Sequence, residues 1–114
     1  MSCDKEIVIN GETYIKQEKI ASNYVIIRTY SAGVHAGELV RREGKEVELH
    51  NARRIWYWSG AASLSQMAVD GVKNPDQCKF SVTVPSITLT EAIEIINCTE
   101  KAMKNIMGVE EWKK

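Results

Sequence analysis

The chain has 114 residues, 44% of them hydrophobic and 26% charged, which is the make-up of a single globular domain. Fifteen basic residues balance fifteen acidic ones, and this argues against a grip on long nucleic acid, where affinity grows with the number of phosphates neutralised. A neutral chain of this size points instead to a small ligand or a protein partner.

Nothing at the N-terminus resembles a signal peptide and no apolar run approaches membrane-spanning length, so a cytoplasmic chain with no membrane partner is expected. Ile7-Val8-Ile9, Asn10-Gly11 and Thr13-Tyr14-Ile15 predict a small hairpin, because Asn-Gly supplies the two positive φ angles of a type I′ turn. Glu18 to Asn23 is polar and reads as a connector. Tyr24 to Tyr30 is β-branched and aromatic, and predicts a strand with Val25, Ile27 and Thr29 facing the core and Tyr24, Ile26, Arg28 and Tyr30 on the other side. An arginine in so apolar a run must meet a carboxylate, an edge open to water or an anionic ligand.

Gly33 and Gly37 bracket Val34-His35-Ala36, a spacing that permits a bulge or a close approach of backbone. It is not the dinucleotide fingerprint. Glu38 to Arg42 and Glu46 to His50, joined at Glu43-Gly44-Lys45, predict a second hairpin, followed by a separate aromatic strand, Arg53 to Trp58. Alternation puts Arg54, Trp56 and Trp58 on one face of that strand and Arg53, Ile55 and Tyr57 on the other. Either face pairs cation with ring, the combination that suits a flat anion. All five arginines lie between Arg28 and Arg54, while ten lysines are scattered along the chain.

From Ala61 to Asp70 the period changes. Ser63 with Gln66 forms a capping pattern, Leu64, Met67 and Ala68 share a helical face, and Gly71 stands where a helix would stop. Lys79 to Val84 alternates as a strand that Pro85 ends or confines to a sheet edge. Ile87-Thr88-Leu89 and Ala92 to Ile96 read as further strands. Asn97 or Thr99 caps a last helix through Met107, ended by Gly108, and Trp112 sits in a charged tail. The expected fold is α+β, an antiparallel sheet meander of six or seven strands with two short helices in the C-terminal half.

Catalysis has little support in the sequence. His35 and His50 are the only imidazoles, no serine lies in a nucleophile-elbow motif, and Cys3, Cys78 and Cys98 are spaced neither as a zinc site nor as a disulfide framework. No metal and no cofactor are expected. Choosing guanidinium, ring and polar groups by their chemistry gives candidate ligand contacts at Arg28, Tyr30, His35, Arg53, Arg54, Trp56, Trp58, Phe80 and Asn97. For each a structural role competes: core for the rings, a helix cap for Asn97, a backbone hydrogen bond for His35.

The segments Tyr24–Gly37, Ala52–Ala61 and Thr90–Ile96 resemble the type 1 Thoeris anti-defence proteins, a small phage family. The resemblance spans residues 24 to 107. It implies a homo-oligomeric sponge, acting in the cytoplasm of an infected bacterium, that sequesters a cyclic ADP-ribose isomer without degrading it. Cyclic oligonucleotides are further ligands that the resemblance implies, and pockets near subunit boundaries are expected. Two readings from other classes stand beside it. One is a single-stranded nucleic-acid module with Trp56, Trp58 and Phe80 as a stacking platform. The other is a structural subunit whose aromatics are all interface.

Overall fold

The central strand has no polar face. In the computed structural model, which describes residues 19–112, β1 (Ile20–Thr29) pairs antiparallel with β2 (Val34–Glu43) on one edge and with β6 (Ala92–Thr99) on the other. Tyr24 and Ile26 are buried on one side of it, Val25 and Ile27 on the other. The alternation expected from the sequence is therefore right in phase, but both faces are core. The strand also begins at Ile20, inside the segment read as a connector. The hairpin expected at residues 7–15 lies outside the described residues.

Beyond β2 comes β3 (Glu46–Tyr57), one strand of 12 residues where the sequence suggested two. Asn51 joins the halves with a φ of 52°. The β2–β3 register slips between Ala36↔Arg53 and Glu38↔His50, so two residues of β3 oppose one of β2. That is a β-bulge, and asparagine is among the few residues that tolerate the left-handed conformation. Gly37 is the residue opposite, and a Cβ there would sit 3.0 Å from the Cα of Ala52. The close approach anticipated from the glycine spacing is found at this point.

The other edge of β3 is shared. β5 (Val84–Leu89) pairs with its first half and the two-residue β4 (Lys79–Phe80) with its end. The strand expected over Lys79 to Val84 is thus broken in its middle. Pro85 lies within β5, opposite Asn51 by the register of its neighbours. A residue without an N–H is cheapest on an edge strand facing an irregular partner.

The result is an α+β fold with an antiparallel sheet that, among the described residues, has six strands in the order β4-β3-β2-β1-β6, with β5 also on β3. β5 and β6 are separated only by Thr90 and Glu91, yet they border opposite edges of the meander. So short a link forces the sheet to curl until its edges meet. Backbone bonds from Ala92 N to Lys45 O (3.0 Å) and Tyr30 N to Glu91 O (3.0 Å) tie the junction down. Inside the curl lie Val25, Ile27, Val47, Leu49, Ala52, Leu89 and Ala92.

The outer face is covered by α1 (Leu64–Asp70) and α2 (Glu100–Met107), which pack Met67, Ala68, Ala102 and Ile106 on Tyr24, Ile26, Ile55 and Phe80. Both helices are capped by hydroxyls: Ser63 accepts from Gln66 N, and Thr99, not Asn97, accepts from Ala102 N. The helices are joined by an amide clamp. Asn105 Oδ1 accepts from Val72 N at 2.8 Å while its Nδ2 donates to Val72 O at 3.0 Å. Gly71 leaves room for it, since a Cβ there would lie 2.5 Å from the Asn105 side chain.

Removing the clamp tests this account. Asn105→Ala leaves a donor and an acceptor of Val72 unmatched in a partly buried place, and is expected to lower stability by about 2 kcal/mol in urea unfolding.

Candidate functional site

The Asn51 bulge decides which side chains of β3 reach the inside of the curl. Val47 and Leu49 face inward; one extra residue then shifts the phase, so that Ala52 faces inward and Ile55 joins the helix-side core. Arg54 and Trp56 follow Ala52. On β2, His35 alternates with Val34, which packs against the helix side. His35, Ala52, Arg54 and Trp56 meet in a cavity of about 200 Å³ whose lining is completed by Arg53, Ser81, Val82, Val84 and Ile87.

Arg54 is held without being neutralised. Its Nε donates to His35 Nε2 at 3.2 Å, and its backbone N–H donates to Ser81 Oγ at 2.7 Å. Among the described residues its two Nη groups have no partner. Of the other arginines, Arg28 and Arg41 meet carboxylates and Arg53 meets carbonyls, while Arg42, like Arg54 engaged only through Nε among the described residues, lies outside this cavity. Arg28 Nε pairs with Glu94 at 2.9 Å, and Arg41 with Glu46 at 2.7 Å and Glu48 at 3.4 Å. Arg42 donates to Gly44 O at 3.2 Å. Arg53 donates to Ser81 O and Ile106 O, each at 2.9 Å.

His35 is 1% exposed. Burial, together with the adjacent Arg54 guanidinium, pushes its pKa down to about 4, so the ring is neutral near pH 7. Because Nε2 accepts from Arg54, the ring proton resides on Nδ1. That N–H is buried with no hydrogen-bond partner among the described residues. Trp56 is 51% exposed and forms a wall of the cavity. Its ring meets Trp112 edge-on, with centroids 5.5 Å apart at 73°, and Lys79 Nζ lies 5.0 Å from the Trp112 centroid. Trp112 therefore docks on its own sheet, through that contact and a 2.9 Å bond from its N–H to Phe80 O.

The structure brings His35, Arg54 and Trp56 together and sends the other candidates elsewhere. Arg53 also lines the cavity, but it is 2% exposed, its guanidinium lies 5.4 Å from the Phe80 centroid, and its hydrogen bonds go to carbonyls. Burial lowers its pKa, opposed by Tyr24 and Glu111. It joins α2 and the segment after β4 to the sheet. Arg28 meets the cross-strand carboxylate of Glu94, the first of the outcomes its setting required. Tyr30 is 79% exposed in the β1–β2 turn. Phe80 is wholly core, Trp58 packs half-buried on the helix side, and Asn97 is exposed on β6. Trp56, Trp58 and Phe80 hence share no surface, and the stacking platform required of a nucleic-acid module is not formed by them.

The apolar wall went unrecognised in the sequence. Ala52, Val84 and Ile87 carry no chemical label, and strict alternation would put Val84 and Ile87 on opposite faces. The available signal was Pro85, whose place between them marks a break in phase. Among the described residues, no three His, Cys, Asp or Glu side chains gather as a metal site, and no helix is long and apolar enough to cross a membrane.

The model of a family described as a domain of unknown function (DUF6948) covers residues 22–106. No curated protein and no solved structure matches the chain.

The contrast between neighbouring arginines is measurable. Arg53→Ala removes hydrogen bonds to the Ser81 and Ile106 carbonyls and the packing on Phe80, and is expected to cost about 3 kcal/mol in urea unfolding, whereas Arg54→Ala is expected to cost about 1 kcal/mol or less. The neutral imidazole gives a pH dependence of definite sign. Below pH 6.5 the unfolded chain takes up a proton that folded His35 refuses until about pH 4, so stability falls as pH drops through that window. Relative to His35→Gln, the wild type is expected to lose about 3 kcal/mol between pH 7 and pH 4 in pH-dependent chemical denaturation.

Proposed function

The chain belongs to the DUF6948 family, whose description assigns no activity, and we propose that it binds a small cyclic nucleotide, a cyclic ADP-ribose isomer, and sequesters it intact. The observation that carries this reading is Arg54: a guanidinium fixed through Nε by a neutral imidazole, with both Nη groups free among the described residues, beside a half-exposed indole and an apolar wall. A planar fork suits a phosphate, and a ring suits a base.

Retention without turnover is supported by the state of His35. A general base near neutral pH needs an available lone pair and a pKa close to 7. The His35 lone pair at Nε2 is occupied by Arg54, and the pKa is about 4. The imidazole aims a cation instead of moving a proton. The exposed Trp56, Val82 and Trp112 around the cavity suit a second copy of the chain, so the proposed sponge is a homo-oligomer acting in the cytoplasm of an infected bacterium.

The test is capture and release. Purified protein is incubated with a cyclic ADP-ribose isomer, freed of unbound ligand by filtration and heat-denatured. Recovery of unchanged ligand is expected, and Arg54→Ala is expected to weaken retention about 10-fold or more. A chemically altered product would show an enzyme, and no retention by the wild type would remove the reading.

A further inference from the structure

Size and charge together limit how much of a nucleotide the cavity can enclose. At about 200 Å³ it falls short of the roughly 300 Å³ at which pockets begin to bury a whole drug-sized ligand. Of the two arginines that line it, only Arg54 has both Nη groups unengaged among the described residues, and a single fork grips a single phosphate. Within the lining, Ala52, Val84, Ile87 and Trp56 are suited to the faces and edges of a flat ring.

We propose that the cavity is a nucleoside monophosphate subsite. It takes one base against the apolar wall and one phosphate on Arg54, while the rest of a cyclic dinucleotide-sized ligand stays outside, over the exposed Val82 and Trp56. This rests on the nucleotide-binding reading above and names the part of the ligand that is recognised. Recognition then depends on base and phosphate being joined in one unit. A nucleoside lacks the charge, and a sugar phosphate lacks the ring.

The experiment is equilibrium dialysis and titration calorimetry on the full chain with AMP, adenosine, ribose 5-phosphate and a cyclic ADP-ribose isomer. The proteins are the wild type, Arg54→Ala, Arg54→Lys and Arg28→Ala, with folding of each verified by thermal melting. AMP is expected to displace the cyclic ligand, and adenosine and ribose 5-phosphate to bind at least about 10-fold more weakly than AMP. Arg54→Ala is expected to reduce AMP affinity about 10-fold or more, Arg54→Lys to lose part of it because a point charge replaces a fork, and Arg28→Ala to leave it unchanged. If the cyclic ligand is retained but excess AMP fails to displace it, the monophosphate subsite is wrong and the sponge reading survives. If AMP binds with Arg54 dependence and the cyclic ligand is not retained, the subsite stands and the sponge reading falls. AMP binding indifferent to both Arg54 variants, or no binding of either compound, overturns the subsite.

Discussion

A strand of alternating side chains keeps a single phase unless an extra residue is inserted, and β3 would otherwise send Val47, Leu49, Asn51, Arg53 and Ile55 to one side. Asn51 breaks that phase by entering the left-handed region, at a cost of about 1 kcal/mol for a residue bearing a Cβ. Gly37 and Pro85 make the break possible from its two flanks. Gly37 lets the bulged backbone approach β2 within a distance that a side chain would block, and Pro85 presents no N–H to the irregular position. Through this one insertion, Ile55 and Arg53 reach the helix side while Ala52, Arg54 and Trp56 reach the inside of the curl.

The curl itself follows from the two-residue link between β5 and β6 and from the lack of a polar face on β1. With core on both sides of the central strand, apolar material must cover each face; the helices serve one, and the sheet covers the other by folding over itself. The inner cluster fills the part of the curl near Val47, Leu49 and Leu89 with branched side chains. At Ala52 the filling is a single methyl group, across from a glycine, and the space not occupied there opens as the cavity. Packing and site are thus consequences of the same small residues.

Much of the fold was legible because it rests on local signals. The β-branched runs at Tyr24–Thr29 and Ala92–Ile96, the Ser63 and Thr99 caps and the glycines after both helices lie where their chemistry placed them. Two features were not legible. The continuity of β3 through Asn51 was hidden because its polar Asn-Ala step looks like a loop. The pairing of β6 with β1 was hidden because no local pattern encodes a partner on the far edge of the sheet. For the site, alternation correctly put Arg54 with Trp56 and apart from Arg53. It could not tell which of those two faces would hold a cavity, since that depends on a phase set outside the run. Arg28 illustrates the reverse case: its need for a counter-charge was readable, and the carboxylate that meets it, 66 residues away, was not.

Arg53 and Arg54 show how little of an arginine's role lies in its side chain. The two are adjacent and chemically identical, yet one is enclosed against Phe80 with its donors on main-chain carbonyls, while the other is steadied by an uncharged ring. A carboxylate in place of His35 would hold Arg54 more firmly, but it would cancel the charge and compete with an incoming phosphate for the same fork. A protonated imidazole would repel it. A buried neutral histidine orients the guanidinium and leaves its charge available. The same burial that keeps the ring neutral removes its value as a proton acceptor at physiological pH. Positioning the cation and withholding general-base chemistry are therefore two results of one placement, and both support the proposed retention of an anion.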